Sequence, residues 1–159
     1  MAPRLLRCGS SVKGAAMQAR ELMTPDPVCC LPTDPVTDAA AAMKRENVGS
    51  LPVVESRDNK RLVGMVTDRD LVVKVLADGG DVRQATVRDA MSTSPVCCSE
   101  GDDVGKVVDA MARRQVRRMP IVDDRQQLRG IIAQADVATR GEKDARTGEL
   151  VEAISEPSR

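Results

Sequence analysis

The chain contains no phenylalanine, tyrosine or tryptophan among its 159 residues. Its hydrophobic core must therefore be built from aliphatic side chains, methionine and cysteine, and a flat ligand would lie between aliphatic side chains instead of stacking on a ring. The 24 basic and 24 acidic residues cancel. Proteins that bind nucleic acid usually combine net positive charge with aromatic stacking platforms, so the composition argues against nucleic acid as the main partner.

Histidine is also absent, which removes the most frequent general base, the proton switch near neutral pH and the usual nitrogen ligand for metals. The sequence therefore has no histidine that could act as the general base for a serine or cysteine nucleophile. Asp68 and Asp70 are sequence neighbours, and no second carboxylate has to face them as in an acid–base pair. The sequence therefore predicts a protein that is not an enzyme. It also lacks an apolar run long enough to cross a membrane.

Cysteine is present but follows no disulfide pattern. The five cysteines are odd in number, have no CxxC spacing and follow no secretory signal, which favours a reducing compartment and a cytoplasmic location. Four of them form matched vicinal pairs, Cys29–Cys30 and Cys97–Cys98. Their small size and tolerance of burial explain them best. A thiolate metal site or redox switch is the less favoured alternative, because adjacent cysteines lack the usual ligand spacing.

The main positive feature of the sequence is an internal repeat. Residues 20–30 recur as 88–98, with Met23 and Met91 in matching positions 68 residues apart. The run Leu51-Pro52-Val53-Val54 returns as Met119-Pro120-Ile121-Val122, and the run 64–70 returns as 130–136. A repeat of this length indicates two copies of one supersecondary unit. We expect a pseudo-twofold pair of α/β units with a seam between them.

Each copy predicts the order helix, strand, helix, strand, strand, helix. In the first copy we expect a lead-in helix at 19–23, strands at 28–31, 51–54 and 62–66, and a closing helix at 68–76. Thr33 or Asp34 should cap the middle helix, whose predicted apolar stripe comprises Val36, Ala39, Ala40 and Met43.

The domain boundaries follow from the repeat. We expect a disordered extension at 1–16, a first domain at 17–78, a linker at 79–85 and a second domain at 86–140. An over-long gene start before Met17 would explain the extension. The tail at 141–159 is charged and then weakly amphipathic, so it predicts either a short docking helix or a free tail.

The best candidate site is the run from Gly64 to Asp70, which leads from a strand into a helix. A carboxylate that accepts from two vicinal hydroxyls is a common way to bind ribose, and Asp70 fits that role. Thr67 would contact a phosphate or sugar oxygen, and Gly64 would let a base approach the strand. Alternatively, Thr67 and Asp70 form a capping box, and the two roles are compatible. In the second copy Asp136 is kept, but Ala133 replaces the threonine.

Arg117 and Arg118 form a second candidate, because they enter a buried strand where the first copy has Gly49 and Ser50. Arginine at a seam is suited to bidentate phosphate binding. Ion pairs to Asp123, Asp124 or a partner subunit are the alternative, since charged groups near a core are usually paired.

In combination these motifs resemble the tandem CBS-domain pair, or Bateman module, of stand-alone bacterial CBS-domain proteins. Each copy has a Met-[Thr/Ser] lead-in, a Pro-Val strand, a Leu-Pro-Val-Val-type strand and a Gly-h-h-[Thr/Ser]-x-x-Asp ending, where h is hydrophobic, although Ala133 departs from that ending in the second copy. The resemblance implies a β-α-β-β-α fold in each repeat, with two ligand clefts between the repeats. It also implies a homodimer that regulates a protein client acting in trans, with no catalytic residues.

The resemblance further implies a ligand that contains adenosine: AMP, ADP, ATP or S-adenosylmethionine. We expect no required cofactor. Thr67 and Asp70 would hold ribose and phosphate in one cleft and Asp136 the ribose in the other, with Met65 and Ile131 against the base. In nucleotide-binding members, basic residues at the positions of Arg117 and Arg118 serve the cleft of Asp136, so the anchors are divided between the clefts. A ligand-free pair that acts as a protein-interaction module is the alternative function.

Overall fold

The computed structural model describes residues 17–140, without the side chain of Arg140. The predicted extension at 1–16, which includes Cys8, and the predicted tail at 141–159 lie outside the described residues. The described part of the chain forms two compact units. The first unit is Val28–Pro95, and the second combines residues 17–27 with residues 96–140.

The helices and strands follow the repeated order that the sequence predicts. In chain order they are α1 Ala19–Leu22, β1 Thr24–Pro25, α2 Val36–Glu46, β2 Ser50–Val54, β3 Leu62–Thr67, α3 Asp68–Asp70, α4 Val87–Ala90, β4 Ser92–Thr93, β5 Cys98–Ser99, α5 Val104–Arg114, β6 Arg118–Val122, β7 Leu128–Ala133 and α6 Gln134–Arg140. Helix α3 continues directly into a π-helical segment, Leu71–Leu76. The prediction of a mixed α/β fold with β-α-β-β-α repeats is confirmed.

The first unit contains an antiparallel sheet in the order β2-β3-β4. Cys30 adds an isolated parallel bridge to Val53. Its N–H donates to Pro52 O at 3.0 Å, and its carbonyl accepts from Val54 N at 2.9 Å. The strand predicted at 28–31 is therefore reduced to one bridging residue, because the chain turns at once, with Asp34 N donating to Leu31 O.

The second unit repeats this arrangement with the sheet order β1-β7-β6-β5. Strands β6 and β7 pair antiparallel in the register Pro120 to Ile131, as β2 and β3 pair Pro52 to Met65. Strand β5 pairs parallel with β6, where the first unit has only the bridge at Cys30. The two units are thus built on one plan.

The lead-in segments are exchanged between the sequence repeats. Strand β1 belongs to the lead-in of the first repeat but pairs with β7 of the second unit. Strand β4 belongs to the lead-in of the second repeat but pairs with β3 of the first unit. Each compact unit therefore contains the lead-in helix and strand of the other repeat, which the repeat pattern alone did not predict.

Helix α2 differs in two details from its prediction. Val36, Ala39 and Met43 are buried, but Ala40 is exposed, so the apolar face is narrower than the predicted stripe. Pro35 occupies the N-cap position, and neither Thr33 nor Asp34 caps the helix. The Asp34 carboxylate instead accepts from Leu31 N at 2.9 Å and from Arg57 at 3.1 Å.

Each unit has its own aliphatic core. The first core is formed by Cys30, Val36, Ala39, Met43, Leu51, Val53, Val66, Val75, Val87 and Ala90. The second is formed by Ala19, Leu22, Cys98, Val107, Val108, Ala110, Met111, Met119, Ile121, Ile132 and Val137. No polar or charged residue is buried in the described part of the chain. Burial of each larger aliphatic side chain contributes about 1.5–3 kcal/mol, so these cores hold the site-bearing turns in place without aromatic residues.

Candidate functional site

The turn from β3 into α3 places Thr67 and Asp70 against each other. Thr67 Oγ1 accepts a hydrogen bond from Asp70 N at 3.0 Å. Asp70 Oδ2 accepts from Thr67 N at 3.0 Å and from Thr67 Oγ1 at 2.8 Å. The capping box that the sequence predicts is therefore confirmed. Both side chains are partly buried at the surface of the first unit.

The other oxygen of Asp70 meets a lysine one helical turn later. Lys74 Nζ lies 2.9 Å from Asp70 Oδ1, and it also donates to Ala90 O at 2.8 Å. Partial burial raises the pKa of Asp70, but the hydrogen bonds from Lys74 and Thr67 outweigh it and leave the pKa below its usual 3.8. Asp70 is therefore ionised at neutral pH, with partners on both oxygens.

Gly64 lies where the lead-in of the second repeat crosses β3. A Cβ atom at this position would lie 2.4 Å from Met91 Cε and 2.7 Å from Ser92 O. The glycine thus permits the close approach of the segment that joins α4 to β4. The neighbouring Met65 is half-buried and pairs with Pro52 on one side and Ser92 on the other.

In the second unit the same turn lacks the hydroxyl. Ala133 N donates to Asp136 Oδ2 at 2.9 Å, which reproduces only the backbone half of the capping box. Ile131 is buried on β7. Gly130 matches Gly64, because its Cβ would lie 2.4 Å from the Met23 sulfur.

The predicted arginines lie at the start of β6 in the second unit. The Arg117 side chain is exposed and Arg118 is half-buried. Asp123, one of the predicted alternative partners, pairs instead with Arg129 at 3.0 Å. The carbonyl of Arg117 accepts from Gln134 N at 2.9 Å. The second unit therefore holds Arg117, Arg118 and Asp136, while the first holds Thr67 and Asp70.

The thiols are mostly enclosed. Cys30, Cys97 and Cys98 are buried, and Cys29 is half-buried. Burial raises the pKa of the Cys30 thiol from 9.0 to about 12, and the nearby Asp34 carboxylate adds to the effect. Across residues 17–140, no group of three or more Cys, Asp or Glu side chains is arranged to hold a metal ion.

The first unit also contains a cavity that sequence reasoning missed. It has a volume of about 370 Å³, and its lining includes Cys29, Asp38, Ala39, Arg45 and Arg57. Ala39 and Ala41 in this lining are smaller than Val107 and Asp109, which occupy the matching positions of the second repeat. Neither Thr67 nor Asp70 lines this cavity.

Comparison with known proteins identifies the family. The model of the CBS domain family matches residues 19–77 and 87–142. The chain is 39% identical over 137 residues to the uncharacterized protein YlbB of Bacillus subtilis, covering 86% of this chain and 90% of YlbB. It is 33% identical over 139 residues to hypoxic response protein 1 of Mycobacterium tuberculosis, covering 87% of this chain and 94% of that protein. The chain belongs to the CBS domain family.

Solved structures show the same fold. The crystal structure of hypoxic response protein I with two coordinated zinc ions matches with a TM-score of 0.69 and 32% identity, covering 77% of this chain and 97% of that one. The crystal structure of CBSX2 in complex with AMP matches with a TM-score of 0.68 and 26% identity, covering 77% and 94%. Among the helices in residues 17–140, none has the length and hydrophobicity needed to cross a bilayer.

Proposed function

We propose that this chain is a regulatory module that binds an adenosine-containing ligand at Thr67 and Asp70 of the first unit. The observation that carries the proposal is the ionised Asp70 carboxylate, held in place at the β3–α3 turn of a CBS-domain chain. The AMP complex of CBSX2, which shares the fold, supports an adenine nucleotide as the ligand. S-adenosylmethionine is the other candidate.

The chemistry of the turn suits a sugar with vicinal hydroxyls. An ionised carboxylate is an acceptor only, so Asp70 would accept hydrogen bonds from ribose hydroxyls. The Thr67 hydroxyl already donates to Asp70 and accepts from the backbone. Its second lone pair is available to a donor on the ligand. Met65, next to Gly64 on β3, would lie against the base.

A second site in the other unit is the weaker proposal. Asp136 would bind ribose there with Ile131 against the base, and Arg117 or Arg118 would bind phosphate through the planar guanidinium. The Ala133 position offers no side-chain hydroxyl. We therefore expect the two sites to differ in affinity, with Asp70 more important than Asp136.

Isothermal titration calorimetry with AMP, ATP and S-adenosylmethionine tests the proposal. We expect heat with at least one ligand, loss of that heat in Asp70→Ala, and a smaller effect in Asp136→Ala. Asp89→Ala is a matched control, because Asp89 forms the same capping box with Thr86 at the start of α4. No heat with any of the three ligands would overturn the proposal.

We propose no catalytic role for the chain, and its regulatory effect would therefore fall on a separate protein. We propose that ligand binding changes the conformation of the chain and that a protein client reads this change in trans. The odd number of cysteines and the lack of CxxC spacing fit a reducing compartment, and we propose a cytoplasmic location.

A protein-interaction module is the second candidate function, and exposed apolar side chains favour it. Val72, Val73 and Leu76 on the π-helical segment are 53%, 46% and 57% exposed. We propose that this face joins two copies in a homodimer. Light scattering with size-exclusion chromatography should report a dimer for the natural chain and a monomer for Leu76→Lys. A dimer that persists in Leu76→Lys would argue against this face.

A further inference from the structure

We propose that Lys74 regulates the adenosyl site by occupying one of the hydrogen-bonding positions that a ribose needs on Asp70. This inference rests on the function proposed above. The contact that carries it is the Lys74 bridge, defined as Lys74 Nζ with its two acceptors, Asp70 Oδ1 at 2.9 Å and Ala90 O at 2.8 Å.

The Asp70 carboxylate accepts only a limited number of hydrogen bonds. An ionised carboxylate has about four lone-pair positions, two on each oxygen. Oδ2 already accepts from Thr67 N and from Thr67 Oγ1, so both of its positions are filled. Oδ1 accepts from Lys74, which leaves one position. A ribose that donates both of its hydroxyls to Asp70 requires two positions, so Lys74 must leave Oδ1 before both bonds form.

The second acceptor of Lys74 links this exchange to another part of the first unit. Ala90 is the last residue of α4, and its carbonyl belongs to the end of the helix that has no intrahelical donor. When Lys74 leaves, Asp70 gains a free position and Ala90 loses its side-chain donor. Met91 follows Ala90 in the chain and packs over Gly64 on β3, the strand that leads to Thr67 and Asp70. Ligand binding at Asp70 is thereby coupled to the α4–β4 segment.

The position of Lys74 allows such an exchange. The lysine side chain is 40% exposed and Asp70 is 18% exposed, so the ammonium group is able to move into solvent without crossing the core. The lysine lies in the π-helical segment, where Ala77 N donates to Val72 O. π-Helical turns occur often at functional sites. Because ion pairs near the surface are weak, the Lys74 bridge should lower ligand affinity several-fold without preventing binding.

Lys74→Met tests the proposal, because it keeps the aliphatic stem and removes the ammonium group. We expect about twofold to fivefold tighter binding of adenosine in calorimetric competition against AMP, in line with the loss of one partly exposed ion pair. Adenosine is the probe because it has the diol and no phosphate, so a direct attraction between Lys74 and phosphate does not enter. The analogue 2′,3′-dideoxyadenosine lacks the diol and should show no gain.

Two further variants complete the test. Lys44→Met removes the same charge from the exposed end of α2 and should leave the affinity unchanged. Lys74→Gln keeps a neutral donor and should show a smaller gain, and it serves as the test variant if thermal unfolding shows that Lys74→Met does not fold.

The outcomes separate the two proposals. If the natural chain binds AMP but neither Lys74 variant gains affinity for adenosine, the regulatory role of Lys74 is wrong and the proposed function stands. A weaker AMP complex without a gain for adenosine would assign Lys74 to the phosphate and would also overturn this role. If the natural chain binds ATP or S-adenosylmethionine but no chain binds adenosine, the role of Lys74 alone is wrong. If neither the natural chain nor the variants bind adenosine, AMP, ATP or S-adenosylmethionine, both proposals fail together.

Discussion

Met91 packs directly over Gly64, with its terminal methyl group 2.4 Å from the place where a Cβ atom would stand on that glycine. Met23 and Gly130 reproduce this relationship in the second unit. In both units the methionine belongs to the lead-in of one sequence repeat and the glycine to the third strand of the other. In the first unit, the contact between Met91 and Gly64 holds the lead-in segment of the second repeat beside β3, the strand that leads into the candidate site.

Gly64→Ala should destabilise the first unit by about 1–3 kcal/mol, the usual cost of overpacking. Met91 is flexible enough to yield, but Ser92 O is a backbone atom only 2.7 Å from the added methyl group. Urea unfolding measures the loss. Gly101→Ala is the control, because nothing lies within 4 Å of its added Cβ. Equal stabilities for the two variants would contradict the packing role of Gly64.

The capping box at Thr67 has no complete counterpart in the second repeat, so substitutions at Thr67 and Ala133 should change stability in opposite directions. Thr67→Ala should cost about 1 kcal/mol of stability, while Thr67→Ser should cost less because it keeps the hydroxyl. Ala133→Thr should add about 0.5–1 kcal/mol by completing the box that Asp136 already half forms. Chemical unfolding of the three variants checks this. A destabilised Ala133→Thr would show that the second turn has no room for the hydroxyl.

Asp70 predicts a loss of stability in acid. Hydrogen bonds from Lys74 and Thr67 lower its pKa in the folded chain below 3.8, against the opposing effect of burial. A lowered pKa contributes stability that is present above the unfolded value and is lost as the pH falls through the folded value. Asp70→Asn should therefore be less stable than the natural chain at neutral pH and should approach it below about pH 3.8. Parallel pH profiles would contradict this.

The raised pKa of Cys30 predicts a loss of stability at high pH. Its thiol has a pKa of about 12 in the folded chain against 9.0 ordinarily, first because of burial and then because of Asp34. A raised pKa contributes stability that is present below the unfolded value and is lost as the pH rises through the folded value. Between 9.0 and 12 the natural chain should lose up to about 1.4 kcal/mol per pH unit more than Cys30→Ala. Equal slopes for the two chains would show that the thiol ionises freely in the folded state.

The repeat in the sequence was enough to predict the element order, because hydrophobic periodicity and turn residues are local signals. The CBS family was predicted separately, from the resemblance of the combined motifs to that family. The capping box at Thr67 was predicted from local signals as well. The exchange of lead-in segments was not, since pairing β1 with β7 depends on contacts more than 100 residues apart. The Lys74 bridge was missed as well, because its second partner, Ala90 O, is a backbone atom that carries no sequence signal.

The central claim is that an adenosyl ligand binds beside Thr67 and Asp70. Methyl NMR of the chain labelled with [methyl-¹³C]methionine tests it most directly, because Met65 lies on the strand of the proposed site and Met111 is buried in the core of the second unit. We expect at least one of AMP, ATP and S-adenosylmethionine to shift the Met65 signal, to leave Met111 in place, and to fail to shift Met65 in Asp70→Ala. A Met65 signal that none of the three ligands shifts at saturation, or an equal shift in Asp70→Ala, would contradict the claim.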